Sequence, residues 1–168
     1  SKIWAEYKYN DEFKYLKNQL IFFIIGLILM FNISRIDYHI YAKKASILVL
    51  ICLICLILVL IPGIGTVRNG SRSWFRVGSF GIQPSEFTKL ALIIFTSKYL
   101  TKYKKIAPIL LLLGFVFGLI MLQPDFGTGT VLVMSILGIL FVGGMNISFI
   151  IKMAFLGLFG IVGLIIIA

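Results

Sequence analysis

Residues 83–89 of the chain read QPSEFTK, and residues 123–130 read QPDFGTGT. Each stretch places one carboxylate, Glu86 or Asp125, at the start of a hydrophobic segment. Acidic side chains are costly next to the hydrocarbon of a bilayer, so those that occur there are candidates for function. The two stretches therefore mark the starts of two predicted membrane helices and, together, a candidate site.

The composition predicts an integral membrane protein. The chain is 60% hydrophobic, and its mean hydropathy of +1.07 exceeds what a water-soluble domain can bury. The apolar runs lack period-2 alternation, which disfavours a β-barrel. With about 20 residues needed for a helix to cross a bilayer, we predict an all-α, polytopic transmembrane bundle with six spans at residues 20–36, 45–64, 84–100, 106–122, 126–145 and 147–168.

The first 19 residues differ from these spans because aromatic residues alternate with lysines, as in Trp4, Tyr7 and Lys8. This composition is typical of a segment lying at the level of the lipid headgroups. We therefore expect residues 1–19 to be interfacial and residues 20–168 to be transmembrane, within one membrane domain. The chain starts without Met and stops inside an apolar run, so we expect it to be a piece of a longer protein.

The order of the spans places Glu86 and Asp125 on the same side of the membrane. Positive charges are matched on the two sides, so counting them does not fix the orientation. The compact cluster from Lys102 to Lys105, between two helices, is the more usual cytoplasmic signature. This favours an external location for the two carboxylates.

The net charge of +10 does not indicate a nucleic-acid protein, because the cations are spread over both membrane faces. An anionic lipid or lipid-linked substrate fits this distribution better. Cys52 and Cys55 lie in an apolar run without nearby His, Asp or Glu, so the sequence predicts no metal site and gives no support for a divalent cation.

Around Glu86, the residues favour binding of a pyrophosphate and a sugar. Pro84 suits the first turn of a helix, Glu86 suits the positive end of its dipole, and Lys89 follows one turn later on the same face. The preceding loop supplies guanidinium groups and an aromatic ring, namely Arg68, Arg72, Trp74 and Arg76. The alternative is that Glu86 and Lys89 form an ion pair that only anchors the helix end.

Asp125 also has two interpretations, because it follows Pro124 and precedes a predicted helix. Such a residue can simply cap the helix start. It can also bind substrate or assist catalysis, and one carboxylate can do both.

Three ordered motifs resemble the SEDS family of bacterial cell-wall proteins, FtsW, RodA and SpoVE, and are closest to the FtsW and SpoVE branch. The motifs are VRNGSRSWF at residues 67–75, IQPSEFTKLA at 82–91 and QPDFGTGT at 123–130. The resemblance implies a ten-helix fold in the bacterial plasma membrane and a peptidoglycan glycosyltransferase that polymerises lipid II at the outer face. It also implies a class B penicillin-binding protein as partner.

By the same resemblance, Glu86, Lys89 and Asp125 match residues that line the central cavity of the family. The positions that match the external loop and the helix entrance are Arg72, Trp74, Gln83 and Pro84. The aspartate that the family uses for glycosyl transfer lies in a loop beyond residue 168, so we expect the 168-residue piece alone to be inactive. A lipid II flippase and a non-catalytic scaffold for the penicillin-binding protein are the alternatives.

Overall fold

A computed structural model describes residues 13–68, 70–78, 80–153 and 155. The chain forms two compact units, residues 1–40 and residues 41–168. The first unit contains helix α1, Lys14–Ser34, whose apolar side chains are exposed nearly throughout, including Phe22 and Phe31. A helix of this length with exposed apolar side chains on every face is suited to hydrocarbon rather than water.

Helix α2, Tyr38–Leu60, begins directly after Asp37. The Asp37 carboxylate accepts a hydrogen bond from the backbone N–H of His39 at 3.0 Å and contacts the His39 ring nitrogen Nδ1 at 2.7 Å. These two interactions hold the pKa of Asp37 below its usual value, with the backbone hydrogen bond contributing most. Asp37 is therefore an acid at a helix start with a purely local role, which makes it a useful comparison for Asp125.

The second unit continues with a small sheet and three further helices. The strands are β1, Thr66–Arg68, β2, Ser71–Val77, and β3, Phe80–Ile82. The helices are α3, Pro84–Tyr103, α4, Ala107–Met121, and α5, Phe126–Val142. Residues 147–153 are again helical.

The predicted helical bundle is confirmed, and each of the first five spans overlaps one helix, although α2 begins at Tyr38 rather than at residue 45. Two described helices, Tyr15–Ser34 and Tyr38–Leu60, are long and apolar enough to cross a bilayer, and two shorter apolar helices are Ala107–Met121 and Phe126–Val142. The sixth predicted span, 147–168, and the interfacial segment lie largely outside the described residues. Residues 14–19, which we assigned to that interfacial segment, belong to α1 because no Pro or Gly interrupts the helix there.

The sheet is a feature that the all-α prediction did not contain. β1, β2 and β3 form an antiparallel meander in that order, with Val67 opposite Arg72 and Arg76 opposite Gly81. Gly70 and Gly78 have positive φ angles of 82° and 62°, as tight hairpin turns require. Most of the segment between α2 and α3, which hydropathy marks only as a polar connection, therefore belongs to a three-stranded sheet.

Helices α2 to α5 share one core, to which each contributes fully buried side chains. Examples are Leu56 of α2, Leu92 of α3, Ile120 of α4 and Leu132 of α5. In lipid such helices associate by close van der Waals packing. Gly129 permits this approach, since a Cβ added there would lie 2.5 Å from the Met121 methyl carbon Cε.

Candidate functional site

The candidate site lies where four helix ends and the sheet meet. The side chain of Gln83, just before α3, donates from Nε2 to Oδ2 of Asp125, just before α5, at 2.6 Å. This bond holds the starts of α3 and α5 together at one end of the bundle. Glu86 follows in the first turn of α3, so Glu86 and Asp125 lie at the same end.

Asp125 is the N-cap of α5 and a charged centre at the same time. Its Oδ1 accepts from the backbone N–H of Thr128 at 3.2 Å, and its Oδ2 accepts from the Thr128 hydroxyl at 2.8 Å. Together with the bond from Gln83, three donors converge on one carboxylate. The capping interpretation is thus confirmed, whereas a binding or catalytic role of Asp125 stays a prediction.

Glu86 and Lys89 form the predicted ion pair, with 2.8 Å between Oε1 and Nζ. The Glu86 side chain is 54% exposed and that of Lys89 is 18% exposed, so solvent screens the attraction and the pair contributes at most about 1 kcal/mol to stability. Both residues line a groove of about 360 Å³ between α3 and α5, whose other walls include Leu90, Ile93 and Val131. An ion pair beside apolar walls is suited to a ligand with a polar head and a hydrocarbon tail.

The sheet presents its cations on one face. Side chains alternate along a strand, so Arg72, Trp74 and Arg76 share one face of β2, which we call the arginine face. The Arg68 guanidinium belongs to it as well, because its carbon Cζ lies 5.1 Å from the centre of the Trp74 ring, a cation–π distance. This face combines charged donors with an aromatic ring.

The arginines of this face differ in the contacts that their guanidinium groups make. Arg76 donates from Nε to the Gly78 carbonyl at 3.3 Å, and Arg68 stacks on Trp74. Arg72 is half-buried, and within the described ranges its guanidinium makes no hydrogen bond or ion pair. Arg72 is therefore the guanidinium most available to an anionic ligand.

The predicted site residues form three separate groups at this end of the bundle. The groups are Gln83 with Asp125, Glu86 with Lys89, and the arginine face. In the part of the chain that the structure describes, no hydrogen bond or ion pair links an arginine of the sheet to Glu86 or Asp125. The site is thus an assembly of separate polar centres at one end of the bundle.

Three residues that the sequence analysis did not select also belong to this end. Gln123 is fully buried, and Ser73 is 1% exposed. The Ser71 hydroxyl donates to the Gln123 carbonyl, and the Gln123 amide nitrogen Nε2 lies 3.4 Å from the Leu56 carbonyl. The sequence Asn69-Gly70 is a frequent hairpin turn, and it could have predicted that Ser71 and Ser73 lie on a strand. Gln123 belongs to the same motif as Asp125, residues 123–130.

A second groove of about 970 Å³ lies towards the other end of α3 and α5, where its lining includes Thr101, Lys104 and Gly143. Ser135 lines both this groove and the smaller one.

Among the residues with described positions, no group of three or more His, Cys, Asp or Glu side chains is placed to hold a metal ion.

Comparison with known proteins gives consistent matches along the chain. A family model described as cell cycle protein, covering FtsW, RodA and SpoVE, matches residues 1–168. The chain is 46% identical over 173 residues to stage V sporulation protein E of Bacillus subtilis, covering 98% of this chain and 47% of the relative. It is 36% identical over 162 residues to the probable peptidoglycan glycosyltransferase FtsW of Nitrosococcus halophilus, covering 91% of this chain and 41% of the relative.

Solved structures give the same fold. The rod shape determining protein RodA of Thermus thermophilus matches with a TM-score of 0.71 at 30% identity, over 83% of this chain and 48% of that protein. A chain from a structure described as the coordination of polymerization and crosslinking by a peptidoglycan synthase complex matches with a TM-score of 0.70 at 30% identity, over 91% of this chain and 45% of that one. The chain spans about half the length of the curated relatives it matches.

Proposed function

The chain belongs to the FtsW/RodA/SpoVE family of multi-pass membrane proteins, and on this premise we propose that it forms part of a peptidoglycan glycosyltransferase that polymerises lipid II. The relatives named as probable peptidoglycan glycosyltransferases support this assignment. The single observation that carries it is the hydrogen bond between Gln83 and Asp125, because it gathers the acids of α3 and α5 at the end that carries the arginine face.

The proposed reaction transfers a glycan from its lipid pyrophosphate to a sugar hydroxyl. It requires positive charge beside the departing pyrophosphate and a base for the hydroxyl. We assign the first task to Arg72, since its guanidinium makes no hydrogen bond or ion pair within the described part of the protein. Arg68, Arg76 and Lys89 add positive charge nearby, and Trp74 offers a surface on which a sugar ring can pack.

In this proposal Glu86 and Asp125 shape the polar end of the site and tune its charge. Glu86 keeps Lys89 oriented along the groove between α3 and α5, where the polyprenyl chain of the substrate would find apolar walls. Asp125 holds Gln83 and the start of α5 in place. The general base is not assigned to any of these side chains.

A lipid II flippase is the second candidate, and one observation favours it. Ser135 borders both grooves, so open space with polar groups at intervals follows α3 and α5 from Glu86 towards Lys104. Such a path is what a headgroup crossing the bilayer would need.

Reconstitution separates these two functions. In liposomes that carry the full-length protein and lipid II, without a membrane potential, we expect glycan strands to form and to be visible as a ladder on a gel. Headgroup crossing without any polymer would contradict the polymerase proposal and support the flippase. Absence of both, with retained binding of a penicillin-binding protein, would support the scaffold.

We also propose that the site faces the outside of the bacterial plasma membrane and that the full-length protein works with a class B penicillin-binding protein. The match to a chain of a peptidoglycan synthase complex supports the second part. The lysines at residues 102, 104 and 105, at the opposite end of α3 from Glu86, support the first.

Cysteine labelling tests this orientation. In a background without Cys52 and Cys55, Val67→Cys should react with a membrane-impermeant maleimide in intact protoplasts, because Val67 is 60% exposed on the sheet. Lys105→Cys should react only after the membrane is permeabilised. The reverse pattern would place the candidate site in the cytoplasm and would contradict the proposal.

A further inference from the structure

We propose that Ser71 and Ser73 are positioning residues, and that their two hydroxyls form a relay that fixes their own face of β2 against the residues just before α5, and thereby sets the position of the arginine face on the other side of the strand. This inference rests on the proposed function, because it concerns where the pyrophosphate of a lipid-linked substrate binds. It assigns a task to the face of β2 opposite the arginines.

The direction of the relay follows from counting protons. The Ser71 and Ser73 hydroxyl oxygens lie 2.8 Å apart, and either could donate to the other. The Ser71 hydroxyl, however, also bonds to the Gln123 carbonyl oxygen, which can only accept. The single proton of Ser71 therefore goes to Gln123, and the proton of Ser73 goes to Ser71.

Burial makes these bonds difficult to replace. Ser73 is 1% exposed and Gln123 is fully buried, so water cannot readily take the place of a lost partner. A hydrogen bond between buried groups contributes about 1 kcal/mol, and an orphaned buried partner costs more. Consecutive hydroxyl bonds also polarise and strengthen one another.

Gln123, which accepts the last hydrogen bond of the relay, lies in a segment that also contacts other helices. Gln123 contacts the Leu56 carbonyl of α2 through its side chain, and Asp125 is bound by Gln83 at the start of α3. The connection between α4 and α5 is thus attached to two other helices. It gives the sheet a fixed point of reference close to the acids.

The consequence for Arg72 follows from strand geometry. Arg72 follows Ser71 in the chain, so their Cα atoms are about 3.8 Å apart. The Arg72 side chain projects from the opposite face of β2. Its guanidinium has no hydrogen-bond partner in the described ranges, so the position of β2 decides which space that guanidinium can reach. When the relay is lost, the sheet can shift, and a displacement of about 1 Å is enough to weaken recognition of a pyrophosphate substantially.

The test is a double-mutant cycle in the full-length protein with lipid II as substrate. Ser71→Ala should lower kcat/KM about tenfold, whereas Ser71→Thr, which keeps the hydroxyl, should retain most of the activity. If Ser71 acts through Arg72, the double variant Ser71→Ala/Arg72→Ala should be no worse than Arg72→Ala alone. Ser34→Ala is the matched control, since the Ser34 hydroxyl bonds only to the Phe31 carbonyl of its own helix.

Amide hydrogen exchange without substrate adds a readout that does not depend on activity. Ser71→Ala should speed exchange in residues 71–77 relative to the wild type and to Ser34→Ala. Unchanged exchange, or additive losses in the double-mutant cycle, would overturn the positioning role. If Ser71→Ala speeds exchange but the wild-type protein makes no polymer, the proposed function is wrong, whereas the attachment of the sheet through Ser71 is supported.

Discussion

Asp125→Asn in the full-length protein is expected to lower kcat/KM for lipid II polymerisation at least about tenfold while leaving the melting temperature nearly unchanged. Asparagine caps helices about as well as aspartate, and its amide oxygen can still accept from the Thr128 N–H. The substitution also replaces Oδ2 by an amide nitrogen, so the Gln83 amide turns to present its oxygen and the Thr128 hydroxyl accepts instead of donating. With that rearrangement, the substitution removes the negative charge and keeps the cap. A tenfold loss corresponds to about 1.4 kcal/mol of transition-state stabilisation, well within what a buried or half-buried charge provides.

Asp37→Asn is the matched control for this experiment. Asp37 also precedes a helix, and its carboxylate also accepts from a backbone N–H, but within the described residues this carboxylate contacts only His39. We expect this variant to keep its activity. Wild-type activity in Asp125→Asn, together with a destabilised Asp125→Ala, would reduce Asp125 to a helix cap.

Gly65→Ala is expected to distort the start of the sheet and to destabilise the protein. A Cβ at residue 65 would lie 1.8 Å from the Val59 carbonyl oxygen and 3.1 Å from the Arg72 side-chain carbon Cγ. The first of these atoms belongs to the backbone of a buried helix end, so no side-chain rotation can relieve the contact. Overpacking of this kind costs about 3 kcal/mol, and the melting temperature of the detergent-solubilised protein should fall by about 5 °C or more.

Gly114→Ala controls for the loss of glycine itself. A Cβ at residue 114 would meet no atom within 4 Å among the described residues, and alanine favours a helix interior by up to about 1 kcal/mol over glycine. This variant should therefore be as stable as the wild type or slightly more so. Equal melting temperatures for all three proteins would show that the turn after α2 is not packed as described.

Local signals made the helix starts predictable from the sequence. α3 begins at Pro84 and α5 at Phe126, both as predicted, because a proline in the first turn and an aspartate cap act within a few residues. The end of α2 was predicted too late. Hydropathy continues to residue 64, but the helix ends at Leu60 because Pro62 and the positive φ of Gly63 stop it.

The sheet and its attachment were not predictable in the same way. Residues 65–83 carry hairpin signals at Gly70 and Gly78, but their low hydropathy indicates only a polar connection. The role of Gln123 depends on its contacts with Ser71 and Leu56, which are separated from it along the chain by 52 and 67 positions. Contacts at that separation arise from packing of the whole bundle, which no local pattern encodes.

The proposed function requires that the arginine face and the acids of α3 and α5 form a single site for a lipid-linked pyrophosphate. Its most direct test is the affinity of the full-length protein for lipid II, measured for the wild type, Arg72→Ala and Lys105→Ala. Arg72→Ala should weaken binding about tenfold, because hydrogen bonds to charged groups contribute about 1.5–3 kcal/mol, whereas Lys105→Ala, which removes a cation from the opposite end, should bind as the wild type does. Equal affinities for wild type and Arg72→Ala, or a loss confined to Lys105→Ala, would contradict it.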